Sequence, residues 1–202
     1  MPRHALMNVS TMKQYYKAFL LIMILALATV CVTTLSCKKS KSTTASGTPT
    51  LYDTLGGATL VLDPLDPDST MIEKGYLAIR TIVDTTMFTF ASDPLIDTFF
   101  IVLSTEDAAG KDSEYVNLSL GMTNFIATAA GCTNPKYAYN GPDMYAAHNP
   151  ASNKNIPLSV TDSAFNEFVY DIAQSAINYG LSAQVVSQFG SMLYKYEGQI
   201  VQ

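Results

Sequence analysis

YNGPDMYAAH, residues 139–148, is the most informative stretch of the chain. Asp143 is a residue type that caps helices, because its carboxylate accepts hydrogen bonds from the free N–H groups of a first turn. The stretch therefore predicts a short helix that follows Asp143 and ends at His148, before Asn149-Pro150. Met144 and His148 are four residues apart, so they share one face of this helix and present a thioether and an imidazole to the same neighbour.

His148 is open to three interpretations from its local sequence. A lone histidine on a short, apolar-flanked helix is most often structural. A histidine with one free ring nitrogen directed into an apolar cleft is also what an axial haem ligand requires. A Ser–His–Asp or Cys–His catalytic arrangement is the third, although the chain has no Gly-x-Ser-x-Gly motif. The other histidine is His4, near the start of the chain, so a site built from several histidines is excluded.

Two amphipathic helices are predicted before this stretch. The first begins near Thr70 and ends before Asp93-Pro94. The second runs from about Asp112 to Ala130, and Gly131 closes it. Their apolar faces consist of Leu77, Ile79, Ile82, Val83, Thr86, Met87 and Phe90 in the first, and of Leu118, Met122, Phe125, Ile126 and Ala129 in the second.

Two further helices are predicted after it. Thr161 is a plausible N-cap for a helix that stops at Gly180, and Ser182 caps the last one. Their apolar faces consist of Phe165, Phe168, Val169, Ile172, Ala176 and Ile177 in the third, and of Val185, Val186, Phe189, Met192, Leu193, Tyr196 and Ile200 in the fourth. Four such helices predict an all-α domain.

The segment between residues 57 and 75 interrupts the helical pattern. Asp63-Pro64 and Asp66-Pro67-Asp68 indicate loop or turn. Their carboxylates suggest calcium, but the order lacks the Asp-x-Asp-x-Asp-Gly spacing of a calcium-binding loop, which argues against that site.

The N-terminal segment is typical of an export signal. Basic residues precede an apolar run from Ala18 to Val32, which at fifteen residues is too short for a comfortable membrane span of about 20. Thr34–Cys37 resembles a bacterial lipobox, although it lacks the usual Leu three residues before the cysteine. We therefore expect a signal peptide over residues 1–36, and a lipidated Cys37 with a flexible tether over 37–50. An ordinary signal peptide or an uncleaved anchor are the alternatives.

The composition of the chain limits its partners. Its 202 residues are 48% hydrophobic and carry a formal net charge of -5, and loss of the basic leader makes the remainder more acidic. An acidic surface repels phosphate backbones, so nucleic acid is not an expected partner. Once Cys31 is removed and Cys37 is lipidated, Cys132 is the one free thiol, so no internal disulfide forms.

Three stretches of the chain resemble the group 1 truncated haemoglobins. Leu51–Gly57, LYDTLGG, is similar to the opening of that family. Asp93–Phe100, DPLIDTFF, is similar to its Asp-Pro corner, and Tyr139–His148 to its proximal segment. The resemblance covers residues 51–202 in the family's order. It departs from the family in the extra residues Ala58–Gly75, and in Gly131-Cys132, where the family has a second double glycine.

The resemblance implies an all-α, two-over-two helical sandwich of truncated-globin type around a haem b, with its iron. In that fold His148 is the proximal iron ligand, and Phe100 packs on the porphyrin. Met87, Leu118 and Met122 take the distal positions. The cofactor-binding residues implied in all are His148, Met87, Phe100, Leu118, Met122, Phe125 and Met144.

The function that this resemblance favours is binding of dioxygen or another diatomic gas, NO or CO, at the cell envelope. We then expect the chain to be lipid-anchored at a membrane and to face the periplasm. One alternative is a haem enzyme, a nitric oxide dioxygenase or a peroxidase-like protein, which needs an unidentified reductase. A second is electron transfer with His148 and either Met87 or Met122 as axial ligands. The third is a cofactor-free envelope lipoprotein with a globin shell.

Overall fold

The computed structural model describes residues 48–66, 68, 70–90, 92–101 and 113–202. The expected signal peptide, Cys37 and most of the tether lie outside these residues. None of the helices in the described part is long and apolar enough to cross a membrane.

Seven helices and two short strands form the described part of the chain. The elements are α1 (Leu51–Thr54), β1 (Leu60–Leu62), β2 (Met71–Glu73), α2 (Lys74–Phe90), α3 (Ser113–Ala130), α4 (Met144–His148), α5 (Asp162–Asn178), α6 (Ala183–Tyr194) and α7 (Glu197–Ile200). Two 3₁₀ turns, Asp97–Phe100 and Pro135–Tyr137, lie between them. The predicted all-α architecture is confirmed.

The four long helices form the core. Helix α2 packs on α3, and α5 packs on α6, while α2–α5 and α3–α6 contacts join the two pairs. Phe90, Phe165 and Phe189 are fully buried between them. The residues of the predicted apolar faces are buried or half-buried, with one exception. Ile177, near the end of α5, is 50% exposed, because the apolar face of α5 extends there beyond the neighbouring helices.

The predicted helix caps are confirmed. Thr161 accepts a hydrogen bond from the N–H of Ala164, and Ser182 accepts one from Val185. Helix α1 has a capping box, in which Thr50 and Asp53 accept from each other's backbone N–H groups. Each cap satisfies N–H groups that have no partner within the helix, so these residues fix where the helices begin.

Glycines allow the N-terminal helix to sit against the end of α3. Gly57, at φ 55°, turns the chain after α1, and its N–H donates to the carbonyl of Tyr52. Gly131, at φ 104°, ends α3 beside Thr50, and a Cβ there would lie 2.7 Å from the Thr50 Cβ. Position 131 therefore needs glycine, as in the double glycine that the truncated haemoglobins have at this point. The next residue, Cys132, departs from that pattern and is a half-buried free thiol.

A β-hairpin replaces part of the expected loop and the expected first turn of the helix. Strands β1 and β2 pair antiparallel, with Val61 opposite Ile72, and the acidic stretch forms the loop between them. The prediction that the helix begins near Thr70 was wrong, because β2 occupies 71–73 and α2 starts at Lys74. Arg80 on α2 forms an ion pair with Asp63 at 2.6 Å, which fastens the hairpin to the helix.

Candidate cofactor-binding cavity

A partly open cavity of about 320 Å³ lies between α3, α4 and α5 and is bordered by the Asp97–Phe100 turn and the chain's last helices. This volume is typical of small-molecule and cofactor sites. The polar side chains that line it are Asn117, Tyr139, His148, Asn153 and Tyr196. Most of the wall is apolar and is formed by residues that include Phe99, Phe100, Leu118, Met122, Phe125, Met144, Phe165, Phe168, Leu193 and Ile200.

Helix α4 holds His148 at the cavity. Asp143 caps the helix by accepting a hydrogen bond from the N–H of Ala146 at 2.8 Å, as the sequence predicts. At the other end of the helix, the side-chain amide of Asn153 donates to the carbonyl of Ala147 at 2.7 Å. Both ends of this five-residue helix are therefore secured, and the position of His148 is fixed by its own segment.

The tautomer of His148 follows from its hydrogen bond to the helix backbone. The Nδ1 atom lies 2.8 Å from the carbonyl oxygen of Met144. A carbonyl oxygen only accepts, so Nδ1 carries the proton and donates. In the neutral ring the Nε2 atom then has a free lone pair, which is the state of a histidine that ligates a metal.

Burial keeps the ring neutral. Burial lowers the pKa of His148, and the hydrogen bond to Met144 opposes this effect without overcoming it. The imidazole is therefore uncharged at neutral pH, because the protonated ring would have to be desolvated. A neutral imidazole beside an apolar cavity can supply one lone pair to a bound electrophile or metal.

Six of the seven predicted cofactor-binding residues line this cavity: His148, Phe100, Leu118, Met122, Phe125 and Met144. The seventh, Met87, is 2% exposed on α2 and is not among the lining residues. Sequence reasoning missed the polar lining residues Asn117 and Asn153. No local pattern marks them, since they reach the cavity through the packing of the helices.

Two tyrosines border the cavity beside Phe125. Their rings contact Phe125 edge-on, with centroid distances of 5.5 Å for Tyr139 and 4.8 Å for Tyr196. The Tyr139 hydroxyl donates to the carbonyl of Pro142 at 2.7 Å. No hydrogen bond of the Tyr196 hydroxyl is found in the described part of the chain, and Tyr196 lines the cavity.

Tyr115, one turn before Leu118 on α3, points elsewhere. Its ring contacts Phe88 of α2 at 5.9 Å, and it is not a lining residue of the cavity. Its hydroxyl is buried without a hydrogen bond. Burial, and to a lesser degree the nearby Asp84, raises the pKa of Tyr115, so the phenol stays protonated. The hydroxyl group of Tyr115 therefore lies between α2 and α3.

Comparison with known proteins identifies the fold. No protein-family model matches the chain, and no curated protein matches it. Solved structures do: three variants of the truncated haemoglobin of Tetrahymena pyriformis in the Fe(III) form are similar, with TM-scores of 0.53, 0.53 and 0.54. Sequence identity is 15–16%, and the match covers 76% of this chain and 98% of each of those. The chain has a truncated-haemoglobin fold.

Proposed function

We propose that the chain is a haem-binding globin that reversibly binds dioxygen or another diatomic gas at the cell envelope. The observation that carries the proposal is the Nδ1 hydrogen bond of His148, at 2.8 Å, beside an apolar cavity. It leaves Nε2 as the free nitrogen of a neutral ring. The fold supports the same proposal, because the similar solved structures are Fe(III) forms of a truncated haemoglobin.

The residues of the cavity fit a haem b. Among its lining residues His148 is the one imidazole, and none carries a formal charge or a thiol. Flat aromatic side chains such as Phe100, Phe125 and Phe168 suit a planar apolar macrocycle. His148 would ligate the iron of a haem bound there, and that iron would supply the chemistry of gas binding.

The wall of the cavity that α3 forms is mostly apolar and has few hydrogen-bonding groups. Leu118 and Met122 are apolar, and both line the cavity. Asn117, on the same helix, is the polar exception. A wall of this kind shields a bound gas from solvent but gives it little hydrogen bonding from α3.

Electron transfer is the second candidate, and the cavity favours one version of it. Met122 lines the cavity together with His148, whereas Met87 does not. A His/Met pair of axial ligands would therefore use Met122. The absorption spectrum of the reduced protein separates the candidates, because a six-coordinate His/Met haem differs from a five-coordinate haem that binds carbon monoxide.

The experiment that tests haem binding is an absorption titration of the purified full chain with hemin. We expect the wild type to bind one equivalent and His148→Ala to lose stoichiometric binding, since no other histidine lines the cavity. Phe189→Ala is the control, because Phe189 is fully buried but does not line the cavity. It should lower stability by about 3–5 kcal/mol and leave the haem spectrum unchanged.

Two results would contradict the proposal. A wild-type chain that binds no hemin would have a globin shell without the cofactor. A His148→Ala chain with the wild-type spectrum would mean that another group ligates the iron.

Phe165→Ala is less suitable as a control, because Phe165 lines the cavity and its loss would change both stability and binding.

A further inference from the structure

Three carboxylates meet where the Asp93–Phe100 segment, the corner that follows α2, lies beside α5. Asp93 belongs to the corner, and Glu167 and Asp171 are four residues apart on α5, so they share one face of that helix. One carboxylate oxygen from each of the three lies within 4.8 Å of the other two. None of the three lines the cofactor-binding cavity.

Asp171 is buried among these acids without a partner. It is 4% exposed, and its Oδ2 atom is buried and makes no hydrogen bond. A buried carboxylate normally accepts hydrogen bonds or pairs with a cation, because its desolvation is otherwise costly. Burial, followed by the charges of Asp93 and Glu167, raises the pKa of Asp171 to about 6.

Among the residues that the structure describes, no ion pair compensates the cluster. In the part of the chain that the structure describes, the one ion pair joins Arg80 to Asp63, and it involves none of these three acids. The carboxylate of Asp93 accepts a hydrogen bond from the N–H of Leu95 at 2.8 Å, which fixes the corner. Within the described ranges the cluster thus combines three acids that no ion pair neutralises.

We propose that Asp93, Glu167 and Asp171 bind a divalent cation of the calcium class. Carboxylate oxygens without histidine or cysteine favour a hard cation over zinc or copper. Oxygens within 4.8 Å of one another can reach one ion at calcium–oxygen distances of about 2.3–2.6 Å after small side-chain adjustments. Water molecules would complete the coordination, and the ion would tie the corner after α2 to α5.

The test is a calorimetric titration of the purified, metal-free full chain with CaCl2, together with thermal unfolding. We expect one calcium ion to bind and the unfolding temperature to rise. Glu167→Gln and Asp171→Asn should each weaken binding about tenfold or more, because calcium affinity follows the number of charged ligands. Glu197→Gln on α7 is the matched control and should bind as the wild type does.

The proposal fails if the wild type gives neither heat nor a thermal shift with Ca²⁺, Mg²⁺ or Mn²⁺. It also fails if Glu167→Gln and Asp171→Asn both retain wild-type affinity, because the ion would then sit elsewhere. Should Asp171→Asn not fold, the half-buried Glu167 provides the decisive variant. Neither readout depends on haem, so this test is independent of the proposed function.

Discussion

The chemistry of His148 is set by two neighbours that lie within five residues of it. The carbonyl of Met144 accepts the Nδ1 proton, and Asn153 secures the end of the helix through Ala147. Both contacts are local, so they do not depend on the helices on the far side of the cavity. A neutral, oriented imidazole is therefore present before any ligand binds, which lowers the cost of binding one.

At Leu118 a single substitution tests how the wall of the cavity acts on a bound gas. Bound dioxygen carries partial negative charge, and a hydrogen bond to such a group is worth roughly 1.5–3 kcal/mol. Leu118→Gln would place an amide donor at the cavity. We expect dioxygen to dissociate about 10- to 100-fold more slowly from this variant, as measured by stopped flow. Dissociation of carbon monoxide, which is less polarised, should change far less.

Tyr115→Phe is the control for that measurement. Its hydroxyl lies between α2 and α3 and not at the cavity, so its loss should leave the dissociation of dioxygen nearly unchanged. Faster release from Tyr115→Phe would mean that this phenol does reach the gas. Unchanged release from Leu118→Gln would show that position 118 does not face the ligand.

Most element boundaries follow from caps and stripes that are visible in the sequence. Thr161, Ser182 and Asp143 begin their helices as expected, because a capping side chain satisfies backbone N–H groups whatever packs around it. The hairpin was not predictable in the same way. Each of its strands has three residues, too few for an alternating pattern to be distinguished from the helix that follows.

The hairpin supports a prediction about pH. Burial acts to raise the pKa of Asp63, but hydrogen bonds from Arg80 and Leu65 and the charge of Arg80 outweigh it, so the pKa is lowered. A lowered carboxyl pKa contributes stability above the unfolded value of about 3.9, and this contribution is lost as the pH falls through the folded value. Asp63→Asn should therefore cost about 1–3 kcal/mol at pH 7 and progressively less below pH ~4.

Urea unfolding of the wild type and Asp63→Asn across that pH range measures the difference. Asp68→Asn, an exposed acid in the same loop, is the control and should change stability little at any pH. A difference between wild type and Asp63→Asn that stays constant down to pH 3 would show that the ion pair with Arg80 does not stabilise the hairpin.

The candidate site could be predicted where it depends on one segment and not where it depends on several. His148, with its cap, is a local feature, and the sequence identifies it. The exposed end of α5 at Ile177 and the polar lining residues Asn117 and Asn153 depend on how helices meet, which periodicity does not specify. Met87 also depends on how the helices meet. The resemblance implied that it lies on the distal side of the haem, whereas its side chain packs in the core.

Across the whole molecule, the same fold is compatible with a very different sequence. The chain shares it with a truncated haemoglobin at 15–16% identity. In this chain the fold includes a capped α1, a double-glycine turn and apolar faces on four helices, all of which act through backbone geometry and burial. Most other positions are free to vary, since surface substitutions change stability little.

We propose that the chain as a whole sits at an envelope membrane, held through Cys37. A basic segment, an apolar run from Ala18 to Val32 and a lipobox-like end precede that cysteine, and the polar residues 38–50 follow as a tether. In cells labelled with a fatty acid, we expect the wild type in the membrane fraction with the label attached. Cys37→Ser should carry no label and should be released or remain unprocessed.

Cys132→Ser is the matched control, because this half-buried thiol lies within the folded domain and its loss should leave the label in place. Unlabelled wild-type protein in the cytoplasmic fraction would contradict the anchor.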